Sequence, residues 1–340
     1  TGKAGLLEDE PRFDYSGGVT CPSLLLEPSR TNLINYSEYF GSGWSLSNIS
    51  ATYNYSISPE GLKNATLMSP TTNDAFLREM SNSFTSGGSY TASIYMKSNS
   101  GSSFDLNMRL RESGGGQDLI ETKTITTEWQ RFEISITATI TGNYQFWIGT
   151  SGTWSLNEDL LIWGAQLEAG SYPTSYIPNH SGGTITRGAE TNIVEGISSA
   201  IGQTEGTLYG EVKFFETSVD SIISLSDGTN ENRLLFSKKS DNKYALYVQE
   251  TTTQVNLTTT GTFALGDYHK FAVTYKANDF KLYVDGNLEL SATSGSVPVG
   301  MSQLEFYNPS GSSPFNGNVK QVLVFKEALS ETELIKLTTI

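Results

Sequence analysis

Apolar and polar residues alternate along short runs of this chain, and the spacing of a helix is nearly absent. Successive side chains of a strand point to opposite sides, so runs of this kind fold as half-buried strands. In Tyr90–Lys97 the apolar set Tyr90, Ala92, Ile94 and Met96 opposes Thr91, Ser93, Tyr95 and Lys97. Phe104–Arg111 sets Phe104, Leu106, Met108 and Leu110 against Asp105, Asn107, Arg109 and Arg111. Asn143–Thr150 sets Tyr144, Phe146 and Ile148 against Gln145, Trp147 and Gly149. Trp129–Ile136 and Leu160–Glu168 have strand length and composition too, and clusters such as SNSGSS and ESGGGQD supply turns. The pattern predicts an all-β protein. At 340 residues the chain is long for a single core, so two β-sandwich (jelly-roll) domains in tandem are expected.

The expected boundaries follow the pattern. Residues 1–22 read as an irregular, acidic lead-in, residues 23–178 as the first sandwich beginning with the strand Leu24–Leu26, residues 179–204 as a linker, and residues 205–340 as the second sandwich. A formal net charge of −14 argues against nucleic acid as a partner, because phosphate neutralisation needs clustered Lys and Arg. Its plain consequence is solubility. A single cysteine, Cys21, excludes an intrachain disulfide framework and a cysteine-based zinc site. No apolar run reaches the roughly 18 residues of a membrane span. The chain starts at Thr1 rather than Met, which reads as a fragment or a processed product.

Two segments carry a resemblance. Ile162–Pro178, IWGAQLEAGSYPTSYIP, reads as a buried strand running into a Pro- and Tyr-rich exit, and Pro11–Phe40 contains SRTNLINYSEYF. They resemble the closing and opening segments of carbohydrate-binding-module-like jelly rolls in bacteriophage structural proteins. The resemblance implies a virion component, as a fibre, decoration or receptor-binding protein, with further sequence upstream. The later segments KLYVDGNLEL, a hairpin turning at Asp285-Gly286, and FNGNVKQVLVFKEALSETELIKL, in which Ser330 and Glu333 form a capping box, resemble a laminin-G or concanavalin A-like lectin domain over roughly residues 205–340. That fold hosts lectins, enzymes and scaffolds alike.

The polar faces of the first-domain strands bring Tyr95 and Trp147 into one set with Lys97, Asn107, Arg109 and Gln145. An aromatic ring covers the C–H side of a pyranose while amide and charged groups bind its hydroxyls, so this set reads as a carbohydrate site if the strands are neighbours. Arg109 would suit a carboxylated or sulfated glycan. Trp154, in the loop SGTWSLNED, is a second candidate as an exposed loop-tip aromatic, whereas Trp44, Trp129 and Trp163 read as packing residues. In the second domain the loops around Asp227, Asn230 and Asn316 offer oxygen donors for a ligand or calcium, and His269 reads as a partly buried strand residue.

The resemblance also implies a structural calcium between the opening segment and the last strand, where relatives place an Asp, but the stretch here is WGAQLE, with Gln166. No other cofactor is expected. No strand shows the closely spaced Glu and Asp of a concanavalin-like glycosidase, and the pairs Glu158-Asp159 and Glu8-Asp9-Glu10 fall in loops or the lead-in. A Tyr/His lyase using His180 or His269 stays open as an alternative. The favoured reading is non-catalytic binding of surface polysaccharide by a homo-oligomeric protein on the virion surface, packed among other virion subunits. A pure scaffold is the second reading and a polysaccharide-degrading enzyme the third.

Overall fold

A computed structural model of the chain describes residues 11–15, 21–79, 82–150, 154–215 and 219–340. It divides into two compact units: Ser29–Gly188, and residues 11–28 together with Ala189–Ile340.

The first unit is an antiparallel sandwich. One sheet runs in the order Asp118–Ile125, Phe104–Glu112, Gly142–Ile148, Phe76–Glu79, Trp44–Ser47, with Asn82–Phe84 also paired to Gly142–Ile148. The other runs Gln130–Thr137, Ser89–Ser98, Leu160–Ala169, Ala65–Pro70, Ile49–Ser56. The apolar sets expected from alternation all point inward, and Ala92, Ile94, Met96, Leu106, Met108, Leu110, Phe146 and Ile148 share one core. Within it Phe84 stacks between Tyr90 and Tyr144, with centroids 3.7 and 4.4 Å away. Each such side chain contributes about 1.5–3 kcal/mol by leaving water.

In the second unit, one sheet has the order Phe13–Asp14, Ser23–Leu26, Gly317–Phe325, Glu205–Phe214, Tyr268–Lys276, Asp279–Val284, Asn287–Ala292. The facing sheet runs Ile193–Val194, Gln303–Glu305, Ser221–Ser226, Asn232–Lys238, Tyr244–Glu250, Thr252–Thr258. Leu208, Phe236, Phe271 and Leu282 lie in the core between them. The helix Glu331–Thr338 sets Leu334 against Tyr209, Ala272 and Tyr283 on the outer side of the first of these sheets. Its expected capping box is present: Ser330 Oγ accepts from the Glu333 backbone N–H, and Glu333 accepts from the Ser330 backbone N–H.

Two expected boundaries shift. Leu24–Leu26 is a strand, but it pairs with Gly317–Phe325 in the second unit, and Leu26 is part of that unit's core. Asn318 Nδ2 donates to Ser23 Oγ at 2.8 Å, and Arg12 pairs with both Glu27 and Glu190. So part of the supposed lead-in, Phe13–Asp14, is an edge strand of the second sandwich. The expected linker is also structured: Ile185–Arg187 pairs with Arg30–Asn32 in the first unit, and Ile193–Val194 pairs with Gln303–Glu305 in the second. Sequence proximity misplaced these short pieces because the strands Ser23–Leu26, Ile185–Arg187 and Ile193–Val194 pair with partners more than a hundred positions away. Of the acidic pairs, Glu8-Asp9-Glu10 lies outside the described residues.

Candidate functional site

The sandwich separates the expected sugar-binding set. Tyr95 and Lys97 lie on Ser89–Ser98, in one sheet, whereas Asn107, Arg109, Gln145 and Trp147 lie in the other. Each group points away from the shared core, so the two face opposite sides of the unit. The condition for a joint site, that these strands be neighbours, fails for Tyr95 and Lys97.

Trp147 is on an outer face, as alternation requires, but it does not offer a free ring. Phe76 lies 4.7 Å away, centroid to centroid, and the guanidiniums of Arg78 and Arg109 sit 5.0 and 5.4 Å from the ring centroid. The residue is 8% exposed. Cation–π contacts thus occupy the surface a sugar would need. Arg109 is further engaged by Asp118, to which its Nε donates at 2.7 Å. Asn107 bonds Thr122 and Thr150, and Gln145 accepts from the Trp147 indole. Trp154 departs most from expectation: it is fully buried at 0% exposure, belongs to the core, and donates its indole N–H to the Glu158 carbonyl at 2.7 Å. A Gly-rich turn before a Trp reads the same in sequence whether the ring turns outward or inward.

An open pocket lies elsewhere on the same unit. It has a volume of about 170 Å³ and is lined by Tyr36, Glu38, Tyr39, Tyr53, Asn54, Asn64, Thr66, Asn179 and His180. The segment after Ile34 turns sharply, with Tyr36 in the left-handed region at φ 52°. It is clamped to the exit segment of the last strand: Tyr36 N–H donates to Ser181 O and Ser37 N–H to Asn179 O. Buried Asn179 fixes both sides, donating from Nδ2 to Ile34 O at 2.8 Å and to Gly183 O at 2.6 Å. Tyr39 and Tyr53, both exposed, lie 5.0 Å apart and lean over Gly41, where a Cβ would come within 2.6 Å of the Tyr39 ring. Any larger residue at that position must displace the pair.

Glu38 forms the polar side. Its carboxylate accepts from Tyr176 Oη–H at 3.0 Å and from Asn64 Nδ2 at 3.0 Å, and its side chain is 12% exposed. The same Asn64 nitrogen donates to Glu60 Oε1 at 2.5 Å. His180 Nε2 stands 3.9 Å from Glu38, with its ring 70% exposed. Burial pushes the Glu38 carboxyl above the ordinary carboxylate range, and Glu60 adds to this, while His180, Tyr176 and the Trp163 indole oppose it. Burial likewise raises the Tyr176 phenol, with the neighbouring Glu38 charge adding to the shift. Behind the pocket, Trp163 packs 4.7 Å from Tyr176 and 5.4 Å from Tyr95. Tyr95 is therefore linked to Glu38 only through Trp163 and Tyr176 and does not line the pocket. The opening segment of the sequence resemblance supplies Tyr36, Glu38 and Tyr39 to this pocket, while Asn179 and His180 follow directly on the closing segment, whose Tyr176 bonds Glu38. Their tyrosines, in NYSEYF and SYIP, were the available signal, and the third wall, TYNY, came without one.

Where a calcium would be expected, the oxygens are already met by donors. Glu168 accepts from Thr174 N–H and Oγ–H and from Gln166 Nε2, and Arg30 lies 3.9 Å from it. Gln166 Oε1 accepts from Ile177 N–H. A donor-lined carboxylate beside a guanidinium does not fit a cation. Among the described residues no group of three or more His, Cys, Asp or Glu could hold a metal ion.

In the second unit Asp227 accepts from Thr229 and Asn232 within its own loop, and Asn230 accepts from Arg233. Asp227 and Asn230 are thus engaged within the fold, and Asn316 Oδ1 is buried without a hydrogen-bond partner. His269 is buried at the hairpin base, its Nδ1 2.6 Å from Asp285 Oδ2 and its Nε2 3.0 Å from the Ala264 carbonyl. With both nitrogens spent on the fold, it has no free edge for proton transfer.

No curated protein matches the sequence. Among solved structures, the chain resembles the CBM40 of the Ruminococcus gnavus IT-sialidase bound to α2,3-sialyllactose, at 18% identity over 41% of this chain and 84% of that one, TM-score 0.37. It also resembles domain 4 of AbnA, a GH43 extracellular arabinanase from Geobacillus stearothermophilus in complex with arabinotriose, at 15% identity over 41% and 68%, TM-score 0.37. Likenesses of this degree transfer no site. Residues 198–335 match the family model of the concanavalin A-like lectin/glucanases superfamily, so the second unit holds a concanavalin A-like lectin/glucanase domain.

Proposed function

We propose that this protein binds glycans without cleaving them and that the pocket of the first unit is where it does so. The observation that carries this reading is the placing of two exposed tyrosines, Tyr39 and Tyr53, beside Glu38, Asn54 and Asn64 in one concavity. Tyrosine rings cover the apolar side of a sugar, and amides and carboxylates bond its hydroxyls. A volume of about 170 Å³ is small beside the roughly 300–1,000 Å³ of drug-sized sites, so one sugar residue or one chain end is the natural occupant. The carboxylates favour binding over hydrolysis. Glu38 and Glu60 are tied to a single Asn64 nitrogen on one side, whereas glycosidases set two carboxyls across the bond to be cut.

The virion role, with display in many copies, rests on the resemblance of the opening and closing segments; repeated display raises avidity about 10²–10⁴-fold over a weak single site. The test is polysaccharide binding by the whole chain and by Tyr53→Ala and Trp147→Ala. Tyr53→Ala should weaken binding about tenfold, the loss of roughly one aromatic contact, and Trp147→Ala should change it little. Binding sensitive to Trp147 alone would move the site to the other face. A blank array would favour the scaffold, and new reducing ends would establish an enzyme.

A further inference from the structure

Resting on that reading, we infer that the pocket takes a sugar residue bearing no carboxylate, sulfate or phosphate, and discriminates against anionic glycans. The reason lies in the balance of its donors and acceptors. Glu38, which lines the pocket, shares the Asn64 amide nitrogen with Glu60 just outside the lining, and no Lys or Arg is among the lining residues. His180 is the sole imidazole there, and its exposed ring leaves it screened by solvent.

Each Glu38 oxygen accepts one hydrogen bond within the protein, from Tyr176 or from Asn64, and a carboxylate oxygen has room for a second. What remains on offer at Glu38 is therefore acceptor capacity aimed at donors. A sugar hydroxyl supplies a donor. A carboxylate or sulfate is an acceptor only, and its charge meets Glu38 in a partly desolvated site with no Lys or Arg among the lining residues to offset it. The Asn64 amide cannot rotate to help, because turning it would set its carbonyl against both carboxylates. Its Oδ1 is already a buried acceptor without a donor. The surroundings point the same way, since the whole chain carries a net charge of −14. This departs from the acidic glycan that Arg109 suggests in sequence: Arg109 is held by Asp118, on the opposite side of the sandwich.

The experiment is calorimetric titration of the full chain with matched polymer pairs that differ in charge: glucan against polyglucuronate, and galactan against polygalacturonate and sulfated galactan. The neutral member should bind at least tenfold more tightly than its acidic counterpart, and Tyr53→Ala should weaken that binding. Raising the salt concentration should narrow the difference by screening the repulsion of the acidic member. Glu38→Gln, with folding verified by its melting temperature, should weaken the neutral ligand and narrow the same gap. Acidic polymers binding as tightly as neutral ones, in a manner lost in Tyr53→Ala, would overturn the inference and leave the pocket as the site. Failure of every polymer to bind would overturn the glycan-binding reading itself, and the inference with it.

Discussion

Glu79 sits on the inward side of the Phe76–Glu79 strand, next to core residue Leu77, and is buried. Its carboxylate accepts from Asn82 Nδ2 at 2.6 Å, which does not offset the lost hydration, and burial pushes the carboxyl up to about 8. The unfolded chain loses this proton first, near 4.5. Glu79 therefore costs nothing at low pH, and stability declines as pH rises from there to about 8. Glu79→Gln keeps the acceptor for Asn82 and removes the charge. It should stabilise the first unit at pH 7 by as much as roughly 3 kcal/mol and leave it unchanged near pH 4. Chemical denaturation at the two pH values measures both; an equal effect at each would show that the charge is not the cause. Glu79 was invisible in sequence because a four-residue strand ending in Glu reads like any exposed loop edge.

Among the elements, the hairpin of the second unit was the most legible. Asp285 and Gly286 both lie at positive φ, 49° and 83°, as the two-residue turn expected from YVDGN requires. Only the structure shows that Asp285 also holds His269 and accepts from the Lys270 N–H at 2.9 Å. The hydrogen bond to Asp285 outweighs burial and raises the imidazolium above its usual range. Stabilisation by this pair is thus complete below about pH 6.5 and is lost as pH rises through the higher folded value. Asp285→Asn should lower the melting temperature of the second unit at pH 5.5 and matter less at pH 9. A pH-independent loss would mean that the turn, and not the charge, is what Asp285 provides. At the C-terminal helix, Ser330→Ala removes the capping box and should cost about 1 kcal/mol in the same melting experiment. Period-two alternation exposed the central strands, whereas Asp118–Ile125 and Ile49–Ser56 escaped it. Both lie at sheet edges: Ile49–Ser56 exposes side chains on both faces, and in Asp118–Ile125 the more buried face itself carries Glu121 and Lys123, so apolar–polar alternation carries less contrast.

For the whole molecule, the discontinuous second unit has a direct consequence. Residues 11–28 supply Phe13–Asp14 and Ser23–Leu26 to its sheet and Leu26 to its core. A fragment of residues 189–340 should therefore melt at a lower temperature than the same unit in the full chain, and residues 29–188 should fold alone, with their own sheets and core. Equal melting of the long fragment with and without residues 11–28 would show that the added strands contribute nothing. By itself the sequence determined the class of fold and the inward faces of the central strands. It also determined the hairpin turn and the helix cap, because each depends on neighbours within a few residues, and it carried the lectin-like resemblance of the second domain. Tertiary structure decided which sheet each strand joins, that Trp154 turns inward, that arginines cover Trp147, and that segments near residues 36, 53, 64 and 180 close around one pocket. Those outcomes depend on pairings between distant parts of the chain, which local periodicity does not encode.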